Sequence, residues 1–283
     1  MASSNPNAVC EQFDQQGFII LHGILESSVV ENAREEMKSL VDLHANKLIA
    51  EGKIQNSLQD EPFNTRLARL YENHLEDAPK SFREELHLAG LFPLFFDPHV
   101  LDVVETFLGP EIRLYPNYTA RPKLPDHEGT VVLWHQDGGY TEGSGQTGQR
   151  VDELRMVNVW SPLVPARVEN GCMQFVPGTH NLGVVPHERK RHYLEIAQEY
   201  LEPRENQAIN VELDPGDVVL FHNLLFHRGL PNRSATIRWS LDWRYQDATQ
   251  PTLRPQEGHI ARSQKRPANV VQNASQWSRL SFS

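Results

Sequence analysis

From about residue 111 to residue 247 the chain is a succession of short β-rich runs: "EIRLYPNYTARPK", "TVVLWHQD", "RMVNVWSPL", "CMQFVP", "AINVEL", "DVVLFHN", "FHRG" and "TIRWSLDWRY". Turn signals separate them, among them Pro177-Gly178 and Asp214-Pro215-Gly216-Asp217, residues that pre-set the backbone angles of tight turns. Many short strands at this spacing restrict the chain to a β-sandwich or barrel and argue against a parallel sheet.

Ahead of that region the periodicity is helical. In "ESSVVENAREEMKSLVDLH" the residues Val30, Ala33, Met37, Leu40 and Val41 recur at helical spacing, giving one apolar face. Ser28 followed by Glu31 has the form of a capping box. "PHVLDVVETFLG" reads as a short helix stopped by Gly109. "FDQQGFIILHGI", residues 13–24, reads as a short strand between Gly17 and Gly23. The polar stretch from Gly52 to Leu94 gives weaker signals. The expected fold is α+β and mainly β: a double-stranded β-helix (jelly-roll, cupin-like) core over about 111–247. A helical layer over about 1–110 packs on it and a tail follows over 248–283, all as one domain.

Bulk properties bound the function. The 283 residues suffice for a large core. A net charge of −10 argues against nucleic acid or an anionic membrane surface as partner. No run reaches the ~18 apolar residues of a membrane span, and the N-terminus lacks a signal-peptide apolar region. Two cysteines, Cys10 and Cys172, are too few for a disulfide framework. The expectation is a cytoplasmic protein, monomer or homodimer, acting on a small molecule. On that expectation the sequons at Asn117, Asn232 and Asn273 are chance matches.

Along a strand, alternation sends His135 and Asp137 to one face and Gln136 to the other, a spacing that suits two ligands on one ion. A third ligand is needed, and "GDVVLFHNLLFHRGLPNRSATIRWSLDWRY", residues 216–245, offers His222 and His227. Two histidines and a carboxylate form the facial triad of non-haem Fe(II) oxygenases, which leaves three positions open. The ligand list alone leaves zinc open. Arg238, on the next strand, has a planar fork that matches a carboxylate. Inside a barrel it demands an anion, and 2-oxoglutarate supplies one: it chelates iron through one end and offers its far carboxylate to the arginine. Ser240 shares a strand face with Arg238 and is placed to donate to the same carboxylate.

These residues carry a resemblance. His135-x-Asp137, His227 and Arg238 eleven residues later resemble the phytanoyl-CoA hydroxylase family of Fe(II)/2-oxoglutarate dioxygenases. "ENGCMQFVPGTH" resembles that family's Asn-Gly-x-x-x-x-x-Pro-Gly-Ser/Thr-His segment, and "PGDVVLFHNLLFHRGLPNRS" its strand into the distal histidine. "FDQQGFIILHGIL" is similar to its opening. The resemblance covers most of residues 13–245. It implies His135, Asp137 and His227 as iron ligands and Arg238 as the 2-oxoglutarate anchor. Lys123, in "KLPD", matches a family lysine that contacts the cosubstrate. One departure is Gly229, where some members carry a hydroxyl residue, so the cosubstrate loses a donor that Ser240 is placed to replace.

Other residues have blander readings beside the functional ones. His222 is expected beside the site or in a core hydrogen bond, and His180 in the turn after Gly178. Asn170 and Gly171 are turn residues, and Trp134, Trp160 and Trp239 are core or pocket lining. Tyr115 and Asn117 face either cosubstrate or wall. Residues 138–155 read as a mobile lid or a surface loop, and Arg262 as part of a solvated tail or a return to the site mouth.

The function expected is oxidation of an unactivated C–H bond of a small metabolite or natural-product intermediate, using Fe(II), 2-oxoglutarate and O₂ and releasing succinate and CO₂. Asp137 argues against a halogenase, because related halogenases lack that carboxylate. The alternatives are a metal cupin acting as hydrolase or isomerase, which leaves Arg238 without a partner, and a non-catalytic binding module.

Overall fold

Period-two patterning in the longest strand organises the molecule. In the computed structural model, which describes residues 6–141, 151–190 and 193–282, helix α1 (Pro6–Gln16) leads into strand β1 (Phe18–Leu21). Helices α2 (Ser27–Ala50), α3 (Phe63–Leu70), α4 (Phe92–Phe95) and α5 (Pro98–Leu108) follow. Then come β2 (Ile112–Leu114), β3 (Thr119–Lys123), β4 (Val132–His135), α6 (Asp137–Thr141), β5 (Met156–Pro162), β6 (Met173–Val176), β7 (His187–Arg189) and β8 (Leu194–Ile196). Helix α7 (Gln198–Leu201), strands β9 (Ile209–Val211), β10 (Val218–His222), β11 (Phe226–Gly229), β12 (Arg238–Asp247) and β13 (His259–Arg262), and helix α8 (Ala274–Trp277) complete the chain.

A seven-stranded antiparallel sheet runs β1-β10-β5-β12-β2-β13, with β3 also paired to β12, and faces a four-stranded sheet β4-β11-β6-β9. Between them they make the jelly roll expected from the strand spacing. On β12 the residues Trp239, Leu241, Trp243 and Tyr245 face the helices, where they join a core with Met37, Leu40 and Val41 of α2. Trp239 stacks on Phe63 at 5.2 Å, and the Tyr245 hydroxyl donates to the Phe95 carbonyl at 2.7 Å. The alternate residues Arg238, Ser240, Asp242 and Arg244 therefore face the barrel interior, because successive side chains leave a strand on opposite sides.

Several local expectations need correcting. Residues 13–16 are helical: Phe13 packs its ring 4.4 Å from Phe107, and Gly17, at φ +81°, ends the helix. The strand is confined to Phe18–Leu21, paired with β10. Helix α2 continues through the good helix formers after His44 to bury Ala45 and Leu48. Its N-cap is Glu26 with no side-chain cap bond, and Glu31 pairs with Arg34, so Ser28 and Glu31 form no capping box. Helix α5 matches its expected span, with Asp97 capping the amides of His99 and Val100.

Both ends of the chain join the jelly roll. Beyond residue 247, β13 adds to β2, and Trp277 of α8 is fully buried. Arg262 neither returns to the site mouth nor lies free. It bonds Asp102 at 2.8 Å and Glu105 at 2.6 Å, pinning β13 to α5. No helix among the described residues is long and apolar enough to cross a membrane.

Candidate metal centre

His135 and His227 are direct cross-strand partners on β4 and β11. Opposed residues of an antiparallel pair project to the same face with Cβ atoms about 5 Å apart, and here the ring centroids are 4.0 Å apart. Each imidazole is oriented by its own backbone: Nδ1 of His135 bonds the Leu133 carbonyl and Nδ1 of His227 the Leu225 carbonyl, both at 2.8 Å. These bonds fix the tautomer that leaves Nε2 bare, the usual orientation device around a metal-binding histidine. Burial, helped by the neighbouring His135, pushes His227 down to about 3 and keeps it neutral.

Asp137 reaches the same point by a different route from the one alternation suggests. Strand β4 ends at His135, and Asp137 opens the short helix α6. The turn between them is stapled by Gln136, whose side-chain nitrogen donates to the carbonyls of Gly183 and Leu224 while its oxygen accepts from the Val185 amide. The Asp137 carboxylate comes 3.5 Å from Nε2 of His135 and 3.9 Å from Nε2 of His227. One ligand atom from each of the three residues lies within 4.8 Å of the others. Burial opposes the charge on Asp137. Arg244, at 2.7 Å, and the two imidazoles outweigh it and hold the carboxyl well below the usual range. Asn158 donates to its second oxygen at 2.8 Å.

His222, the other candidate on that segment, does not belong to this set. Its neighbour Phe221 lines the site, so His222 faces the opposite side of β10, packing near Phe13 and His180. His180 bonds the Asp14 carbonyl rather than the turn after Gly178.

Arg238 shares the cavity with the three ligand candidates, alongside Trp160 and Met173. It is 3 % exposed, its guanidinium 5.3 Å from the Trp160 ring. Its described partners are all neutral: the Gly171 carbonyl accepts from Nε at 3.3 Å and from Nη2 at 3.2 Å, and the Ser240 hydroxyl accepts from Nη1. Burial and the nearby Arg121 push its pKa down to about 10, which still leaves it charged at neutral pH. A buried cation facing only neutral acceptors is costly unless an anion joins it.

Lys123 pairs with Arg238 across β3 and β12. Its ammonium donates to the carbonyls of Thr130 at 2.8 Å and Gly229 at 3.4 Å, and burial with Arg238 nearby holds its pKa well below normal. The space beside Gly229 is where that ammonium sits: a Cβ there would lie 3.4 Å from Nζ. Gly171 is more than a turn residue, because its carbonyl grips Arg238 and its φ of +88° suits glycine. Residues 142–150 of the expected lid lie outside the described residues.

Sequence reasoning missed Arg244, Asn158 and the Arg121–Asp242 pair, which closes at 2.5 Å beside the site. The alternation of Arg238, Ser240, Asp242 and Arg244 against four large apolar residues was a signal for the inward face of β12.

With this geometry, three comparisons with known proteins agree. A family model described as phytanoyl-CoA dioxygenase matches residues 13–240. A 1-deoxypentalenic acid 11-beta-hydroxylase of Streptomyces arenae is 27% identical over 252 residues, covering 84% of this chain and 80% of that protein. Among solved structures, EctD from S. alaskensis with 2-oxoglutarate and 5-hydroxyectoine aligns with a TM-score of 0.61 at 17% identity, over 89% of this chain and 80% of that one. The epimerase SnoN in complex with Fe3+, alpha ketoglutarate and nogalamycin RO aligns with a TM-score of 0.55 at 20% identity, over 89% and 88%. At these identities the structural likeness is one of fold.

Proposed function

This chain belongs to the phytanoyl-CoA dioxygenase family, and on that premise we propose that His135, Asp137 and His227 hold its catalytic Fe(II) while Arg238 anchors the far carboxylate of 2-oxoglutarate. The protein is a non-haem Fe(II)/2-oxoglutarate-dependent oxygenase. The observation that carries the residue assignment is the cross-strand pairing of His135 with His227, which aims two bare Nε2 atoms at the Asp137 carboxylate. Two imidazoles and one carboxylate suit Fe(II) and would leave coordination positions for cosubstrate and oxygen.

The bound iron, with 2-oxoglutarate and O₂, supplies the oxidising power that functionalises an unactivated C–H bond, releasing succinate and CO₂. The chain's own work is positional and electrostatic. The Leu133 and Leu225 carbonyls hold the imidazoles in the ligating tautomer. Arg244 and Asn158 keep Asp137 ionised and oriented. Arg238, gripped by Gly171 and Ser240, offers a fixed cation to a carboxylate, with Lys123 as its cross-strand neighbour on β3. Trp160 and Met173 line the cavity with apolar surface that excludes water.

The substrate in this reading is a small metabolite or biosynthetic intermediate. A cytoplasmic setting is supported by Cys10 and Cys172, which are both free thiols. The helical part and the jelly roll are read as one domain, supported by a hydrophobic core continuous from α2 to β12.

The test is the conversion of 2-oxoglutarate to succinate by the Fe(II)-loaded chain, with and without oxygen. Arg238→Ala should raise the 2-oxoglutarate requirement on the order of 100-fold, the cost of removing one partner of a buried charge pair. Unchanged 2-oxoglutarate turnover under argon would contradict the proposal.

A further inference from the structure

Next to the metal centre the inner face of the large sheet holds a second polar cell that the proposed chemistry does not use. Its floor follows from strand register. Arg244 of β12 is flanked by Asn158 of β5 and by Tyr115, whose amide donates to the Arg244 carbonyl at 2.9 Å. One row along, Asp242 lies opposite Thr119 of β3. Tyr115, Thr119 and Asn158 are at most 1 % exposed, yet the Tyr115 hydroxyl, the Thr119 hydroxyl and the Asn158 side-chain oxygen have no hydrogen-bond partner among the described residues. Buried polar atoms are rarely left so, because each forfeits the hydrogen bonds it made in water. Three lie on one patch of wall, where a ligand's polar group would supply the missing bonds.

Two arginines from distant parts of the chain reach the same cell. Arg83 follows the β-bridge between Phe82 and Ala120 and bonds the Asn117 side-chain oxygen. Arg254 sets its guanidinium 6.0 Å from the Tyr115 ring. Nε of each is buried and unpartnered among the described residues. The remaining charges are already matched, Arg121 with Asp242 and Arg244 with Asp137. Burial and the neighbouring cations Arg121, Arg254 and Arg244, offset by Asp242, push Arg83 down to about 10. Among the described residues Arg83, which also lies 6.0 Å from the Phe282 ring, and Arg254 thus remain as two cations without a carboxylate. Apolar surface adjoins them: Tyr115 packs in a cluster with Val151, Leu154, Met156 and Leu253.

We propose that this cell binds the carboxylate of the substrate, with Arg83 and Arg254 as the charged anchors and Tyr115 and Thr119 as hydroxyl donors, so that the enzyme acts on a hydrophobic carboxylic acid. Arg244, which bonds Asp137 at 2.7 Å and lies opposite Asn158, sets this cell beside the proposed metal ligands. The identification of the ligand as substrate rests on the oxygenase reading above. The presence of an anion site does not.

Calorimetric titration of the full chain tests the proposal, with 1-adamantanecarboxylate, cyclohexanecarboxylate and decanoate each compared with its neutral carboxamide. The acids should bind at least about tenfold tighter than the amides, the effect of a charge-assisted contact. In Arg83→Gln/Arg254→Gln that preference should vanish. In Tyr115→Phe it should shrink, a variant that leaves the fold's charges untouched. The affinity for 2-oxoglutarate, measured separately with metal, should stay within about twofold in these variants and fall only in Arg238→Ala. Absence of acid binding by the unaltered chain, equal binding of acids and amides, or a loss of 2-oxoglutarate affinity in Arg83→Gln/Arg254→Gln matching that of Arg238→Ala would each overturn it. If 2-oxoglutarate fails to bind the unaltered chain while the acids still bind selectively, the oxygenase reading fails and the anion site stands.

Discussion

Arg244 places Nη2 2.7 Å from Oδ1 of Asp137, so the one carboxylate among the metal-ligand candidates is tied to a cation from the middle of the sheet rather than to its own loop. The tie orients the carboxylate before any metal arrives. Arg244→Met, which keeps the stem and removes the charge, should weaken Fe(II) binding about 10- to 100-fold, the usual effect of losing a group that orients a ligand. Metal titration of the two chains reads it directly. Equal affinities would show that α6 alone orients Asp137.

Because strand pairing preforms the two imidazoles, the fold should not need the metal. Chelation should lower the melting temperature, with a loss of roughly 2.7 kcal/mol if free metal had stood at 100 times its Kd. Unfolding should stay cooperative and the near-UV spectrum native. Collapse of tertiary structure on chelation would place the metal among the fold's necessities.

Gly171 tests how tightly Arg238 is gripped. A Cβ there would lie 2.5 Å from both the Leu230 carbonyl and Cδ of Lys123, at a φ of +88°. Gly171→Ala should cost roughly 2–4 kcal/mol in chemical denaturation, combining left-handed strain with overpacking. The 2-oxoglutarate KM should rise with it, since the displaced carbonyl is the acceptor for two of the arginine's N–H groups. A stability loss with unchanged KM would separate the two roles.

Two histidines away from the metal candidates contribute to the acid limit. Burial, and the neighbouring His259, hold His87 at about 4; burial, and His180, hold His222 at about 4. The unfolded chain takes up protons near 6.5 while the folded one resists until about 4. Stability is therefore full above about pH 6.5 and falls as pH drops from there towards 4. Urea midpoints should decline between pH 7 and pH 5, and His87→Gln should decline less steeply. A flat profile would show that these rings titrate alike in both states.

The strand-rich region was legible because turns and period-two alternation are local, and so was α5, whose Pro98 and Gly109 stand at its ends. Helix α1 was not, because Phe13 packs in response to Phe107, more than ninety positions away. Asp137 was assigned a strand position on its spacing from His135, and only the Gln136 staple to residues 183, 185 and 224 turns the chain there into a helix.

What the order of amino acids determined by itself was a jelly roll and a short list of side chains able to bind a metal and a diacid, since residue chemistry and short-range periodicity are properties of neighbours along the chain. That His135 and His227 oppose each other across β4 and β11, that Arg244 rather than solvent holds Asp137, and that Arg254 sits over Tyr115 were decided only by tertiary structure. Cross-strand register and loop closure join segments as distant along the chain as those of Phe18 and Phe221, which are register partners, and no local pattern encodes the distance between them.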